Sequence, residues 1–97
     1  MVEVAVRTPK ARINRAASVF VRYGALEVYI FGSAASEGMR RGSDVDFAVR
    51  GLPARSYYRA VAEALEVMGR PIDVVDLGED SPFTRYLRNP GRLVRVG

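Results

Sequence analysis

The sequence predicts one small α/β (α+β) domain, in which helices pack on one side of a small mixed β-sheet. Three observations predict it. The chain has 97 residues, which allows a single domain over positions 1–97. Short β-type runs alternate with longer segments in which apolar residues recur at helical spacing. Glycine or proline stands between most of these segments, where turns are expected.

Two long segments have the pattern of amphipathic helices. Residues 8–22 begin with Thr8 as a capping residue and Pro9 at the first helical position, and Gly24 ends the helix. Its predicted apolar stripe consists of Ile13, Ala17, Phe20 and Val21. Residues 56–68 are predicted to form the second helix. One face of that helix carries Tyr57, Val61, Ala64, Leu65 and Met68.

The shorter elements follow the same logic. Residues 80–88 are predicted to form a third helix, capped by Asp80 or Ser81. Its inward-facing residues are expected to be Phe83 and Leu87. The predicted strands are residues 26–31, 45–49, 72–77 and 93–96. Between the first two strands, residues 34–38 are expected to form a short helical turn and residues 40–43 a polar loop.

The composition limits the chemistry. The chain has no cysteine and no histidine, which excludes disulfides, thiolate or imidazole metal ligands and Ser-His catalysis. A bound metal must then have oxygen ligands, which favours magnesium or manganese, and a general base is expected to be a carboxylate. The net charge is +4, and Lys10 is the only basic residue that is not arginine. The excess of arginine can reflect genome base composition or growth at high temperature. It can also reflect attraction to a polyanion, and the two interpretations are compatible.

The pattern of apolar residues indicates where the protein works. No apolar run approaches the ~20 residues that a membrane-spanning helix needs, and the first ten residues lack the apolar core of a secretory signal. We therefore expect a cytoplasmic protein without a membrane partner. Because so short a domain buries only ~60–65% of its unfolded surface, a partner or a homo-oligomer could add burial.

Two acids stand at the start of the second predicted strand, Asp44 directly before it and Asp46 within it. Alternate side chains of a strand share a face, so Asp44 and Asp46 point one way while Val45, Phe47 and Val49 point into a core. Carboxylates at i and i+2 lie ~7 Å apart at their Cα atoms, and their oxygens can converge on one or two divalent cations. The alternative is a solvated strand face with two ordinary acids.

A third acid favours the metal site. Asp73 interrupts the apolar run of residues 72–77. If that strand pairs beside the strand of Asp44 and Asp46, three carboxylates meet on adjacent strands, the arrangement used for two-metal phosphoryl or nucleotidyl transfer. Asp76 lies on the other face near the strand end, and we interpret it as a surface or capping acid.

A Gly-Ser pair ends the first predicted strand. Gly32 lets the backbone approach a phosphate closely, and Ser33 adds a hydroxyl donor. Free N–H groups of a helical turn that begins at Ala34 would face the same phosphate. Most Gly-Ser pairs are simple turns, but this one stands at a strand end, one loop before the acid pair.

These motifs together resemble a known family. Phe31-Gly32-Ser33, followed after ten residues by Asp44-Val45-Asp46, resembles the signature of the DNA polymerase β-type nucleotidyltransferase superfamily. The short length and the run Ile72-Asp73-Val74-Val75-Asp76-Leu77 resemble its stand-alone members, the minimal nucleotidyltransferases. The resemblance extends from Leu26 to the last residue. It implies a polymerase β palm-like core.

The resemblance also implies a reaction. Gly32 and Ser33 would hold the triphosphate of a nucleoside triphosphate, usually ATP. Asp44 and Asp46 would bind two Mg²⁺ ions, with Mn²⁺ as the alternative metal. Asp73 would complete the second metal site and help to deprotonate the acceptor hydroxyl. A nucleoside monophosphate would pass to that hydroxyl, with release of pyrophosphate.

Many minimal nucleotidyltransferases resemble the antitoxins of type VII toxin–antitoxin pairs. The toxin of such a pair is a helical HEPN-domain ribonuclease. The resemblance therefore implies a HEPN-domain toxin as partner and adenylylation of a toxin tyrosine.

One departure stands out, because such proteins often carry the pattern Gly-Ser-x-Ala-Arg-Gly. Here Ser36 replaces the arginine and Glu37 adds an acid. If that arginine assists phosphate binding, either Arg40 or Arg41 replaces it or activity is low, and we assign the contact to Arg41. The alternative is that Arg40 and Arg41 belong to a solvated loop.

Two other functions stay open from the sequence. The chain could be a non-catalytic antitoxin that neutralises a partner by contact alone, a reading that the Ser36 departure motivates. It could also be a transferase that acts on RNA or on a small molecule. The excess of arginine motivates the RNA version. The small-molecule version requires an additional substrate-binding domain or a dimer.

Overall fold

The computed structural model describes residues 9–32 and 45–97. The helices are α1 (Pro9–Arg22), α2 (Ala54–Met68) and α3 (Pro82–Leu87), and the strands are β1 (Glu27–Phe31), β2 (Val45–Arg50), β3 (Ile72–Asp76) and β4 (Val94–Arg95). Their order is the predicted one, and each boundary that can be compared lies within about two residues of its prediction. The predicted Thr8 cap, the turn at residues 34–38 and the loop at residues 40–43 lie outside the described residues.

The four strands form one mixed sheet in the order β3-β2-β1-β4. β1 pairs antiparallel with β2 and with β4, whereas β2 pairs parallel with β3. A parallel pair needs a crossover connection, and α2 provides it between β2 and β3. The predicted small mixed sheet with packed helices is therefore confirmed. Among the described helices, none is both long enough and apolar enough to cross a membrane.

The main hydrophobic core lies between one face of the sheet and the helices α1 and α2. Val45, Phe47 and Val49 of β2 are fully buried on that face, as their alternation predicts. The Phe47 ring lies 5.4 Å from the ring of Phe20 in α1, measured between centroids. Small residues let the two helices approach each other closely. These are Ala16 and Ala17 of α1 with Ala60 and Ala64 of α2, each no more than 1% exposed.

A second, smaller cluster lies on the opposite face of the sheet, where α3 packs. It contains the buried side chains Phe31, Ala48, Leu77 and Leu87. α3 begins at Ser81, whose side chain accepts a hydrogen bond from the Thr84 backbone N–H at 3.2 Å. The Thr84 hydroxyl in turn accepts from the Ser81 N–H, which completes a capping box. Of the two predicted caps, Ser81 is therefore the one used.

Three side chains that were expected to face the core are partly exposed. Val21 is 46% exposed, Leu65 44% and Phe83 48%. In α1 and α2 the buried stripe is centred on the buried alanines of these helices, so Val21 and Leu65 fall on its edge. In α3 only Leu87 is fully buried in the second cluster. A helix of six residues has fewer than two turns, so few of its side chains can face the sheet. These three predictions were wrong.

Glu27 joins an electrostatic network on the α3 side of the sheet. Arg50, opposite it on β2, donates two hydrogen bonds to the Glu27 carboxylate, each at 2.9 Å. The Tyr29 hydroxyl donates a third at 2.6 Å. The Arg50 guanidinium and then the Tyr29 hydroxyl lower the pKa of Glu27 from 4.5 to about 2. The same contact raises the pKa of Tyr29 above its usual value of 10.0.

We expect Glu27 to titrate near pH 2 in the folded protein, as followed by NMR of its carboxyl carbon. Because the folded-state pKa lies below the ordinary 4.5, this network stabilises the fold above about pH 4.5. That contribution is lost as the pH falls towards 2. Arg50→Gln should move the Glu27 midpoint upward towards 4.5. A wild-type midpoint already near 4.5 would contradict the network.

Candidate active site

The structure brings Asp46 and Asp73 side by side. The two residues are register partners on the adjacent parallel strands β2 and β3. The neighbours of Asp46, Val45 and Phe47, are fully buried on the α1–α2 side, so the Asp46 side chain points to the opposite face. Asp73 lies on that same face because its strand runs parallel and in register. Asp46 is partly buried, and Asp73 is exposed.

The turn at Gly32 closes against the Asp46 carboxylate. Phe31, the last residue of β1, is the register partner of Asp46, and Gly32 follows it with a φ of +73°. A Cβ atom at position 32 would lie 2.7 Å from Asp46 Oδ2, closer than real Cβ contacts come. Gly32 is therefore required for two reasons: its left-handed backbone conformation and the space that the carboxylate takes up. The sequence had suggested only a close approach to phosphate.

We expect Gly32→Ala to reduce the activity of this site by roughly 10–100-fold, because the added methyl group must displace the Asp46 carboxylate. Gly69→Ala is the matched control. Gly69 ends α2 with a similar φ of +67°, but its nearest neighbour is the flexible end of Arg12. Both variants should lose about 1–2 kcal/mol of stability from the left-handed conformation, measured by urea unfolding. Equal activity in the two variants would show that the Gly32 contact is unimportant.

The other predicted site residues divide into two groups. Asp44, Ser33 and Arg41 lie outside the described residues, as do Ser36 and Arg40. Asp76 is described and lies on the opposite face from Asp73, as predicted. Its Oδ1 accepts a hydrogen bond from the Gly78 backbone N–H at 2.8 Å, so it stabilises the turn after β3.

The paired acids fit a hard divalent cation. Carboxylate oxygens are the ligands that Mg²⁺ and Mn²⁺ accept, and the whole sequence offers no histidine or cysteine that would favour a softer metal. Asp46 and Asp73 point to one face from strands that lie about 4.8 Å apart in a sheet. Their oxygens can therefore reach a common ion. The partial burial of Asp46 and the exposure of Asp73 leave the outer side open to a substrate.

An aromatic cavity adjoins this site, and sequence reasoning did not identify it. Gly32 and Phe31 line the cavity together with Phe83, Tyr86 and Arg92. From the sequence, Phe83 is expected to face inward, and Tyr86 has no assigned position. The spacing of these two residues on one helical face was the available signal. Their proximity to residue 32 is a tertiary contact that no local pattern predicts.

Sequence and fold are both similar to those of known proteins. The family model for polymerase β nucleotidyltransferases matches residues 14–94. Among curated proteins, none matches the sequence significantly. The solved structures include a protein described as a minimal nucleotidyltransferase, with a TM-score of 0.65 and 25% identity, which covers 95% of this chain and 92% of that one.

Toxin–antitoxin structures share the fold at lower identity. A mutant MntA–HepT complex, in which two aspartates two positions apart are replaced by glutamate, has a TM-score of 0.68 and 17% identity over 87% of this chain and 71% of that chain. A toxin–antitoxin complex with the ATP analogue AMP-PNP has a TM-score of 0.64 and 19% identity over 90% of this chain and 71% of that chain. The family match extends over nearly the whole chain and includes Gly32, Asp46 and Asp73, so this protein belongs to the polymerase β nucleotidyltransferase family.

Proposed function

We propose that the protein is a Mg²⁺-dependent nucleotidyltransferase that moves AMP from ATP to a hydroxyl group. We further propose that the acceptor is a tyrosine of a HEPN-domain toxin, which makes the protein the antitoxin of the pair. The observation that carries the proposal is the register pairing of Asp46 with Asp73, directly beside the Gly32 turn. Paired carboxylates on neighbouring strands next to a phosphate-binding turn are what nucleotidyl transfer requires.

Each residue has a distinct role in this proposal. Asp44 and Asp46 would hold the Mg²⁺ ions, with Asp73 completing the second position. The bound metal would neutralise charge on the phosphates and favour ionisation of the acceptor hydroxyl. Gly32 and Ser33, with Arg41, would orient the triphosphate.

The proposed transfer is an in-line displacement at the α-phosphorus. A bond forms between the acceptor oxygen and the α-phosphorus, and the bond from that phosphorus to the oxygen that bridges to the β-phosphate breaks. Pyrophosphate leaves with the electron pair of the broken bond. Asp73 is exposed and can receive the proton of the acceptor hydroxyl.

A protein acceptor is favoured by the position of the site in the sheet. Asp73 lies on β3, which is an edge strand of the described sheet, so no strand among residues 9–32 and 45–97 covers the outer side of the site. A tyrosine on a separate molecule can approach from that side. The related folds in MntA–HepT complexes, and the AMP-PNP in one toxin–antitoxin structure, support the same kind of partner and nucleotide.

The decisive experiment combines the protein, ATP, Mg²⁺ and a HEPN-domain toxin as the candidate partner, followed by intact mass measurement of that partner. We expect a gain equal to one AMP group, which chelation of the metal prevents. A partner variant with the acceptor tyrosine replaced by phenylalanine should stay unmodified. If both proteins are folded and the toxin is neutralised without any gain in mass, the protein is a binding antitoxin. Labelling of RNA instead of protein would identify the RNA version.

A further inference from the structure

The cavity beside the Gly32 turn has a volume of about 240 Å³. The buried side chains of Phe31 and Leu87 form part of its apolar wall. It is smaller than the ~300–1,000 Å³ of sites that enclose a whole drug-sized ligand. It therefore matches one flat ring system better than a complete nucleotide.

Two aromatic rings of α3 form another part of the wall. Phe83 is 48% exposed and Tyr86 47%. Their ring planes lie within 16° of parallel, with centroids 6.5 Å apart, and Phe83 meets the Phe31 ring edge-on at 5.8 Å. A half-exposed ring that is held in place by its neighbours is a stacking surface for a planar heterocycle.

A positive charge stands at the same cavity. The Arg92 guanidinium lies 4.7 Å from the centroid of the Tyr86 ring. Within residues 9–32 and 45–97, no carboxylate forms an ion pair with Arg92. This charge favours an anionic ligand, and the flat guanidinium can bind phosphate or the acceptor atoms of a base.

We propose that this cavity is the nucleobase subsite of the protein, in which the base of the nucleoside triphosphate stacks on Phe83 and Tyr86. The inference rests on the proposed function, because it takes the triphosphate to lie at Gly32. Gly32 lines the cavity and also lies beside the Asp46 carboxylate, since a Cβ atom at position 32 would be 2.7 Å from Asp46 Oδ2. One nucleotide can therefore extend from the aromatic rings, past the turn, to the paired acids.

The test measures equilibrium binding of AMP-PNP and of inorganic tripolyphosphate by calorimetry, both with Mg²⁺. Tripolyphosphate has the phosphates but no base. Tyr86→Ala should weaken AMP-PNP binding by about tenfold, which is about 1.4 kcal/mol, and leave tripolyphosphate binding unchanged. Tyr58→Ala is the matched control, because Tyr58 is 82% exposed on α2 and does not line this cavity. It should bind both ligands as the wild type does.

The outcomes separate this inference from the proposed function. If the wild type binds AMP-PNP and Tyr86→Ala binds it equally well, the base subsite is wrong while nucleotide binding stands. If Tyr86→Ala weakens the binding of AMP-PNP and of tripolyphosphate equally, Tyr86 supports only the phosphate turn. That result would also overturn the subsite. If the wild type binds neither ligand, the proposed function fails and the subsite fails with it. If Tyr86→Ala binds AMP-PNP as the wild type does but no longer binds the partner protein, the cavity belongs to the acceptor and the inference is overturned.

A second measurement needs no variant. In the wild type, AMP-PNP should shift the ring proton resonances of Phe83 and Tyr86 in NMR spectra, because a stacked base adds its ring current. Tripolyphosphate should leave those resonances in place. Ring protons that respond identically to the two ligands would contradict stacking, even if Tyr86→Ala proved too unstable to study.

Discussion

Asp46→Asn is expected to lower the rate of nucleotidyl transfer by at least about 1,000-fold while the fold stays intact. In the proposed site the neutral amide cannot replace the charge of the carboxylate that would bind the metal. Loss of several kcal/mol of metal-assisted stabilisation corresponds to a factor of this size. The rate is measured as AMP incorporation into the acceptor under saturating ATP, and circular dichroism checks the fold.

Asp76→Asn is the matched control for this prediction. It makes the same chemical change in β3, three residues after Asp73 and on the opposite face of the sheet. Asparagine keeps an oxygen that can accept from the Gly78 N–H, so the turn should survive. We expect activity within about twofold of the wild type. Should Asp46→Asn retain a tenth of the wild-type rate, or Asp76→Asn fall with it, the assignment of the site to this face would be wrong.

The largest expected effect on stability comes from Phe47→Ala. Phe47 is fully buried between the sheet and α1, where its ring contacts Phe20. Removal of a buried phenylalanine ring costs about 3–5 kcal/mol, against a total of about 5–15 kcal/mol for a typical domain. Urea unfolding should show this loss, and transfer activity should fall in proportion to the unfolded fraction, because only the folded chain forms the site.

Phe83→Ala removes the same ring from a half-exposed position and controls for size. We expect about half the loss of Phe47→Ala or less, since the Phe83 ring is 48% exposed. A comparable loss in the two variants would indicate that α3 contributes as much to stability as the main core.

Much of the fold follows from local rules. Alternation placed Val45 and Phe47 on the core side of β2 and Asp46 on the other side, and the structure has them there. Ser81 could be predicted as a helix cap because its side chain bonds to the backbone of Thr84, only three residues later. The same parity put Asp73 and Asp76 on opposite faces of β3. Features that depend on one element at a time are therefore predictable from the sequence.

The remaining features depend on which elements meet. The sequence supports the pairing of β3 beside β2 only as a condition. It predicts neither their parallel direction nor the register that places Asp46 opposite Asp73, because register is decided by packing across the whole sheet. The exposure of Val21 and Leu65 depends on how closely α1 and α2 approach each other. The bidentate contact of Glu27 with Arg50 joins residues 23 positions apart. None of these contacts leaves a signal in a local pattern.

The position of β2 between β1 and β3 has a consequence for the dynamics of the site. Both of its edges are paired and one face lies on the main core, so its backbone amides can exchange with solvent only when most of the sheet opens. The strand that carries Asp46 is thus among the last to open, whereas Asp73 lies on an edge strand. In hydrogen–deuterium exchange, the β2 amides should report the free energy of global unfolding, and the outward-facing amides of β3 should exchange much sooner.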